Sequence, residues 1–278
     1  MNHLRTSLLL ALLTALFMVI GNLLGDIEGM LIALGFAALF NLHAYCCGDV
    51  AALRANQARE AQCLREAQVI DAVGDLAQHA GIPAPHVYFS DCPQPNAFAV
   101  GRNPQTASLL ISTGLLDKLN RNEILGVLAH EIAHIRARDT LTTTITATLA
   151  GAIASFGILG LLIGAATAKR AGLFAVILSV FTILAAGLLQ MAVSRSREYA
   201  ADAAGARICG HPEWIASALR KLDRASLIRN RPAEMYPAIA PLFIVNPLGN
   251  HWLARLFNTH PPTARRIARL QAMNAKRG

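Results

Sequence analysis

Four long runs without a charged residue constrain this chain more than any other feature. They cover residues 6–25, 29–47, 141–168 and 171–193. Each is close to or above the about 20 apolar residues that a helix needs to cross the hydrocarbon core of a bilayer. The runs raise the hydrophobic content to 54% and the mean hydropathy to +0.41, above the values typical of soluble domains. The pattern predicts a multi-span membrane protein rather than a soluble enzyme.

The first two runs predict a transmembrane hairpin over residues 1–48. A cleavable signal peptide is the alternative for the first run. Its apolar stretch is longer than the roughly 7–15 residues of such peptides, and no Ala-x-Ala site follows, so an uncleaved anchor is favoured. The third run is the least certain span, because six threonines between residues 140 and 148 are also typical of a helix that skims the membrane or lines a cavity.

The distribution of positive charge predicts which side of the membrane the polar regions face. Of the 25 Lys and Arg residues, eight lie in 49–140 and fourteen in 194–278, whereas the first loop holds only Asp26 and Glu28. Positive residues stay on the cytoplasmic side, so both polar regions are predicted to lie on the cytoplasmic side of the inner cell membrane. A net charge of +8 fits contact with anionic lipid, and no interleaving of aromatic and basic residues indicates nucleic acid.

The predicted fold class is α+β, mainly α, with a zincin-like metalloprotease domain. Four regions follow in order: the hairpin (1–48), a cytoplasmic protease lobe (49–140), the third and fourth spans (141–193), and a helical cytoplasmic lobe (194–278). In the protease lobe, an amphipathic helix over 51–80 precedes three short β-rich segments, which predict a small antiparallel sheet over 86–90, 96–100 and 108–112. Asn120 and Glu123 then resemble a capping box and predict a helix that runs to about Arg138.

This predicted helix carries the sequence H-E-x-x-H. A spacing of four residues places His130 and His134 on one helix face, about 6 Å apart, which suits two ligands of a tetrahedral zinc ion. Glu131 is rotated to the side, where its carboxylate is suited to act as general base towards an attacking water. The alternative is a surface helix with two solvated histidines, but the apolar neighbours of the motif make that arrangement costly.

A catalytic zinc ion needs a third protein ligand. No further histidine follows the motif at metzincin spacing, so a carboxylate from a second helix is the next option. Glu198 and Asp202 lie one helical turn apart after the fourth run; Glu198 is the predicted ligand, and Asp202 is predicted to orient a ligand imidazole. The alternative pairs both carboxylates with Arg195 and Arg197.

Taken together, these features resemble the HtpX-like membrane zinc metalloproteases, gluzincins related to the CAAX prenyl protease. The matching segments are the hairpin, Asn96-Ala97-Phe98-Ala99, Ser112-Thr113-Gly114-Leu115-Leu116, the H-E-x-x-H motif with Asp139 after it, residues 194–202, Thr259-His260-Pro261-Pro262 and Arg266-Ile267. The resemblance implies one zinc ion per chain, bound by His130, His134 and Glu198. It also implies Glu131 as general base and Asp202 as support for a ligand.

The resemblance extends to residues outside the motif helix. It implies that Asn96, Ala97, Phe98 and Ala99 form an edge strand to which a substrate adds as a further strand. It places His260 and Arg266 near the zinc, where either side chain could stabilise an oxyanion. His260 is otherwise a structural residue, and Arg266 a partner for a carboxylate or a lipid phosphate. Asp139 is predicted to be a helix-end or interhelix partner.

The spacing of the motifs from the apolar runs puts the site within roughly 10 Å of the bilayer surface, which favours membrane or unfolded proteins as substrates. The resemblance implies quality control of damaged membrane proteins as a stress response. A catalytically silent zinc-binding adaptor and a processing protease with one dedicated substrate are the alternatives. A transporter is disfavoured, because the ionisable groups lie outside the runs. The sequence predicts no oligomeric state.

Overall fold

The computed structural model of this chain describes residues 2–141, 195–225 and 261–275. The helices in these ranges are α1 (Asn2–Ala55), α2 (Leu64–Ala80), α3 (Thr113–Lys118), α4 (Arg121–Arg136), α5 (Arg195–Ile208), α6 (Pro212–Ala225) and α7 (Thr263–Ala275). The strands are β1 (His86–Ser90), β2 (Ala97–Val100) and β3 (Ser108–Ser112), and a 3₁₀ helix covers Pro104–Thr106. The chain is therefore mainly helical with one small sheet, as the sequence predicted.

Helix α1 contains both of the apolar runs at the start of the chain. Asp26, in the predicted acidic loop, has a φ of 49°, so the backbone leaves the right-handed helical path there. Beyond it, large apolar side chains are exposed at Ile27, Leu31, Ile32, Leu34, Phe36, Leu39, Leu42, Tyr45 and Val50. Across the described ranges, no helix meets both the length and the apolar content expected of a membrane-crossing segment. The hairpin stays a prediction, and residues 142–194, with nearly all of the third and fourth runs, lie outside the described ranges.

The three predicted strands are confirmed, but the predicted antiparallel sheet is wrong. The order is β1-β3-β2, in which β2 is antiparallel to β3 while β1 is parallel to it. The chain reverses twice between β1 and β3, and β2 pairs on the far side of β3, so β1 and β3 run in the same direction. The alternation of apolar residues in a strand shows which face is buried and carries no information on the direction of its neighbour.

Helix α4 begins with the predicted capping box. Asn120 Oδ1 accepts a hydrogen bond from the Glu123 N–H, and Glu123 Oε2 accepts one from the Asn120 N–H, both at 2.9 Å. Ser217 and Lys221 of α6 donate to the same Glu123 carboxylate at 2.8 and 2.7 Å. The start of α4 is therefore fixed both by its own cap and by a neighbouring helix.

Helix α4 packs against β2, α2, α5 and α6 and lies at the centre of the described structure. Its buried side includes Leu128, Ile132 and Ile135, which join the main hydrophobic core with residues of β3. At Gly205 of α5, an added Cβ would lie only 2.9 Å from the His130 backbone nitrogen. Only glycine fits such a close approach. The two helices consequently meet at the level of the H-E-x-x-H motif.

Candidate metal centre

Three side chains from two helices converge on one point. His130 and His134 lie on α4 and Glu198 lies on α5, and their ligand atoms all fall within 4.8 Å of one another. His130 Nε2 is 3.2 Å from His134 Nε2 and 3.7 Å from Glu198 Oε2, and His134 Nε2 is 3.4 Å from Glu198 Oε1. Ligands about 2.0–2.1 Å from a tetrahedral zinc ion are separated by roughly 3.3 Å. The nitrogen–nitrogen distance, and the distance from each nitrogen to one of the two Glu198 oxygens, are therefore close to this value.

The charges around this point also favour a cation. Among the described residues, four carboxylates are buried there, from Glu131, Asp139, Glu198 and Asp202, together with two guanidiniums, from Arg197 and Arg266. With neutral imidazoles these described groups sum to a net negative charge, which a divalent cation would offset. The donor set therefore fits a divalent metal ion in number, geometry and charge.

Burial would lower the pKa of His134, but nearby carboxylates reverse this effect. Asp139 Oδ2 lies 3.1 Å from His134 Nδ1, and Glu198 Oε1 lies on the other side of the ring. Together with Glu131, they raise the pKa of His134 to about 10. The negative potential that stabilises an imidazolium at this position is the same potential that attracts a metal cation.

Glu131 lies beside the three ligand atoms and is not one of them. Its side chain is buried, and its Oε2 accepts a hydrogen bond of 3.2 Å from the backbone N–H of Ala99 in β2. Burial raises the pKa of Glu131, and the charges of His130 and His134 act in the opposite direction. A carboxyl group with a raised pKa next to a metal site is suited to transfer a proton near neutral pH.

Each ligand histidine has an aspartate on its outer ring nitrogen. Asp202 Oδ1 lies 3.0 Å from His130 Nδ1, where the sequence predicted Asp202 to support a ligand. Asp139 takes the equivalent place at His134, a role that the sequence analysis missed. Arg138 has a φ of 58°, so the chain turns back after α4 and brings Asp139 against the last histidine of the helix. An acidic residue five positions after His134, directly beyond the helix end, was the available signal.

Arg266 of α7 lies behind the metal ligands. Its Nε and Nη2 donate to the two oxygens of Asp202 at 2.8 and 2.7 Å, and its Nη1 lies 3.2 Å from Glu198 Oε2. Burial would raise the pKa of Asp202, but the Arg266 charge and its hydrogen bonds lower it to about 2. Only 2% of Arg266 is exposed. The other residue predicted near the zinc, His260, lies outside the described ranges.

Within the described part of the chain, the predicted substrate strand is an edge strand of the sheet. The Asn96 carbonyl accepts from the Ser112 N–H at 2.9 Å, and the Asn96 N–H donates to Ser112 Oγ at 2.8 Å. Opposed residues in an antiparallel pair alternate between bonded and non-bonded positions, so Ala97 and Ala99 direct their backbone groups away from β3. The hydrogen bond from the Ala99 N–H to Glu131 Oε2 confirms that Ala99 directs its N–H away from β3.

Comparisons with known proteins show which family this chain resembles. Peptidase family M48 matches residues 63–274. The chain is 49% identical over 279 residues to Protease HtpX of Legionella pneumophila subsp. pneumophila (strain Philadelphia 1), covering 98% of this chain and 99% of that protein.

A solved structure supports the fold independently. The crystal structure of S. mikatae Ste24p resembles this structure with a TM-score of 0.52 at 17% identity. The similarity covers 97% of this chain, which spans 65% of that protein. At this level of identity the likeness concerns the fold. The family match covers most of the chain, and the Legionella relative aligns over nearly its full length. The chain therefore belongs to peptidase family M48 and is a metallopeptidase that acts on proteins.

Proposed function

We propose that this chain is a membrane-bound zinc endopeptidase in which His130, His134 and Glu198 bind one zinc ion. The observation that carries the proposal is the convergence of two imidazoles and one carboxylate, whose ligand atoms all lie within 4.8 Å of one another, as three ligands of one zinc ion would. Nitrogen and carboxylate ligands in this number are typical of catalytic rather than structural zinc sites, because structural sites use four protein ligands.

Glu131 acts as the general base in the proposed mechanism. A zinc ion held by the three ligands supplies a Lewis acid when it is bound. The Glu131 carboxylate takes a proton from the attacking water and passes it to the leaving amine. The Ala99 N–H, 3.2 Å from Glu131 Oε2, keeps the carboxylate oriented towards the ligand side of the cleft.

The substrate binds as an additional strand along β2. Ala97 offers its outward N–H and C=O groups and Ala99 its outward C=O group to an extended peptide, while the Ala99 N–H stays with Glu131. Side chains of the peptide then alternate between the two faces of the sheet. Asn96 and Phe98 bond towards β3 and hold β2 in place instead. The backbone of a substrate bound in this way lies next to Glu131.

The contacts of Arg266 support a positioning role rather than direct stabilisation of an oxyanion. Three of its nitrogens contact the carboxylates of Asp202 and Glu198. Arg266 therefore aligns a metal ligand and the aspartate that orients His130. A donor role for His260 towards the oxyanion stays a prediction.

The proposed membrane location rests on the sequence pattern, and the proposed quality-control role rests on the family resemblance. The apolar runs, the distribution of Lys and Arg and the exposed apolar side chains of α1 support a multi-span protein with a cytoplasmic active site, acting on misfolded or membrane-associated proteins. We expect the purified protein to be more active in vesicles with anionic lipid than in neutral ones. Equal activity in both would contradict the proposed contact with lipid head groups.

The central experiment compares the purified full chain with Glu131→Gln, using a fluorescently labelled unfolded protein as substrate. Both proteins are expected to bind one zinc ion, while E131Q cleaves about 10²–10⁴-fold more slowly. A chelator should stop cleavage by the wild type, and added zinc should restore it. The matched control is E60Q, which changes an exposed glutamate and should leave cleavage unchanged.

Two results would change the assignment. Equal cleavage by wild type and E131Q would remove Glu131 as the general base. Zinc binding without cleavage by the wild type would favour the adaptor, or a processing protease that cuts one dedicated substrate.

A further inference from the structure

A second arginine lies behind the metal ligands, on the opposite side from Arg266. Arg197 of α5 is only 8% exposed, and its Nη1 lies 3.5 Å from Asp139 Oδ1. The other oxygen of Asp139, Oδ2, lies 3.1 Å from His134 Nδ1. Asp139 is therefore held between a guanidinium and a ligand imidazole.

The two ligand histidines thus have matching partners. His130 contacts Asp202, which is bound by Arg266, and His134 contacts Asp139, which is paired with Arg197. The sequence predicted Arg197 only as a salt-bridge partner for Glu198 or Asp202. In the described part of the chain, Arg197 instead contacts the carboxylate of Asp139, 58 positions earlier.

Burial makes this contact consequential. Asp139 is 5% exposed, and a buried carboxylate that loses one of its partners rearranges. That rearrangement would change the orientation of the His134 ring. Second partners of this kind fix the ring orientation and the basicity of a metal-binding histidine.

We propose that Arg197 is a positioning residue for His134 that acts through Asp139. Because Arg197 precedes Glu198 directly, α5 then sets two of the three metal ligands: Glu198 by direct binding and His134 through Arg197 and Asp139. This inference rests on the proposed zinc site.

The proposal also connects the site to the chain outside the described ranges. Asp139 and Arg197 flank residues 142–194 closely on either side. Their contact therefore joins the two ends of the segment that the sequence predicts to hold the third and fourth spans. A displacement of one end relative to the other would change the orientation of His134.

The test measures the zinc affinity of the metal-free full chain by competition with a chromophoric chelator. Arg197→Met is expected to weaken zinc binding about 10–100-fold, the usual effect of losing such an outer partner. A guanidinium that served only as a counter-charge would act in the opposite direction, since its removal leaves the site more negative and tightens cation binding. The direction of the change therefore separates the two roles.

Three further variants complete the test. Arg207→Met is the control, because Arg207 is an exposed arginine of the same helix and its loss should leave zinc affinity unchanged. Asp139→Asn should weaken zinc binding, and adding R197M to it should cause little further loss if Arg197 acts through Asp139. Arg197→Lys keeps the charge without the forked geometry and should give an intermediate affinity.

The visible absorption of the cobalt-substituted protein provides a readout that a purely structural role would not alter. R197M should change the bands that report ligand geometry, and R207M should not. If R197M does not fold, Arg197→Gln replaces it with the same expected direction. Wild-type zinc affinity in R197M, tighter binding, or independent effects of R197M and D139N would each overturn the inference. Failure of the wild type to bind zinc would instead overturn the proposed function itself.

Discussion

The backbone N–H of Ala99 donates a 3.2 Å hydrogen bond to Glu131 Oε2, which joins the edge strand directly to the catalytic motif. The proposed substrate-binding strand and the proposed general base are therefore joined by a direct hydrogen bond. Because Ala99 points this N–H away from β3, the contact can be removed without breaking the ladder between β2 and β3.

Ala99→Pro tests this relationship. Proline removes the N–H while β2 keeps its bonded positions, so the fold should persist. The Ala99 N–H lowers the pKa of Glu131, and its loss should move the acidic limb of the kcat/KM profile to higher pH. Phe98→Pro is the contrasting variant, since it removes an N–H that faces β3 and should destabilise the sheet. An unchanged pH profile for A99P would show that the hydrogen bond is not maintained in solution.

Arg266→Met should destabilise the protein even without metal. It removes the buried guanidinium that pairs with the Asp202 and Glu198 carboxylates, and breaking a buried ion pair typically costs about 3–5 kcal/mol. Arg265→Met, an exposed neighbour in α7, serves as the control. Thermal unfolding of the metal-free proteins provides the measurement. A normal unfolding midpoint combined with a large fall in kcat would instead favour the oxyanion role expected from the family resemblance.

Gly205→Ala should separate α5 from α4. The new Cβ would lie 2.9 Å from the His130 backbone nitrogen, and such overpacking costs about 1–3 kcal/mol. We also expect weaker zinc binding, because Glu198 moves with α5. Gly74→Ala in α2 makes the same change with no atom within 4 Å of the new Cβ, and it should stabilise the protein by about 0.5–1 kcal/mol. Equal unfolding midpoints for the two variants would argue against the close helix contact.

The ion pair between Arg59 and Glu66 predicts a pH-dependent part of the stability. Hydrogen bonds from Arg59 lower the pKa of Glu66 below its ordinary value of 4.5. A carboxyl group with a lowered pKa stabilises the fold above its unfolded-state pKa, and this contribution is lost as the pH falls through the folded-state value. Glu66→Gln should therefore cost about 2 kcal/mol at neutral pH and progressively less in acid, as measured by unfolding midpoints. The exposed E60Q variant should show no such dependence. A loss of stability in E66Q that is independent of pH would contradict the ion pair.

Local sequence patterns predicted the local structure well. The three strands and the capping box at Asn120 occur where the sequence places them, and the spacing of H-E-x-x-H puts His130 and His134 on one helix face. These features depend on residues within one or two turns of each other. The parallel pairing of β1 and β3 was not predicted, because direction depends on how the chain returns between strands.

The partners of the metal ligands were harder to predict. The pairing of Asp202 with Arg266 spans 64 residues, and that of Asp139 with Arg197 spans 58. Neither helical nor strand periodicity in the sequence relates residues that are so far apart. Glu198 could be inferred only because a catalytic metal needs a third ligand and one helix offered two carboxylates a turn apart. The left-handed turn at Arg138 returns Asp139 to His134. The sequence has no glycine or asparagine at this position to indicate such a turn.

The contact between His130 and Arg266 joins residues 136 positions apart. At a synthesis rate of about 5–20 residues per second, the ribosome adds Arg266 roughly 7–27 s after His130. Until then the Asp202 and Glu198 carboxylates lack the guanidinium that aligns them. During synthesis the candidate metal ligands are therefore present for some seconds before the guanidinium that contacts them.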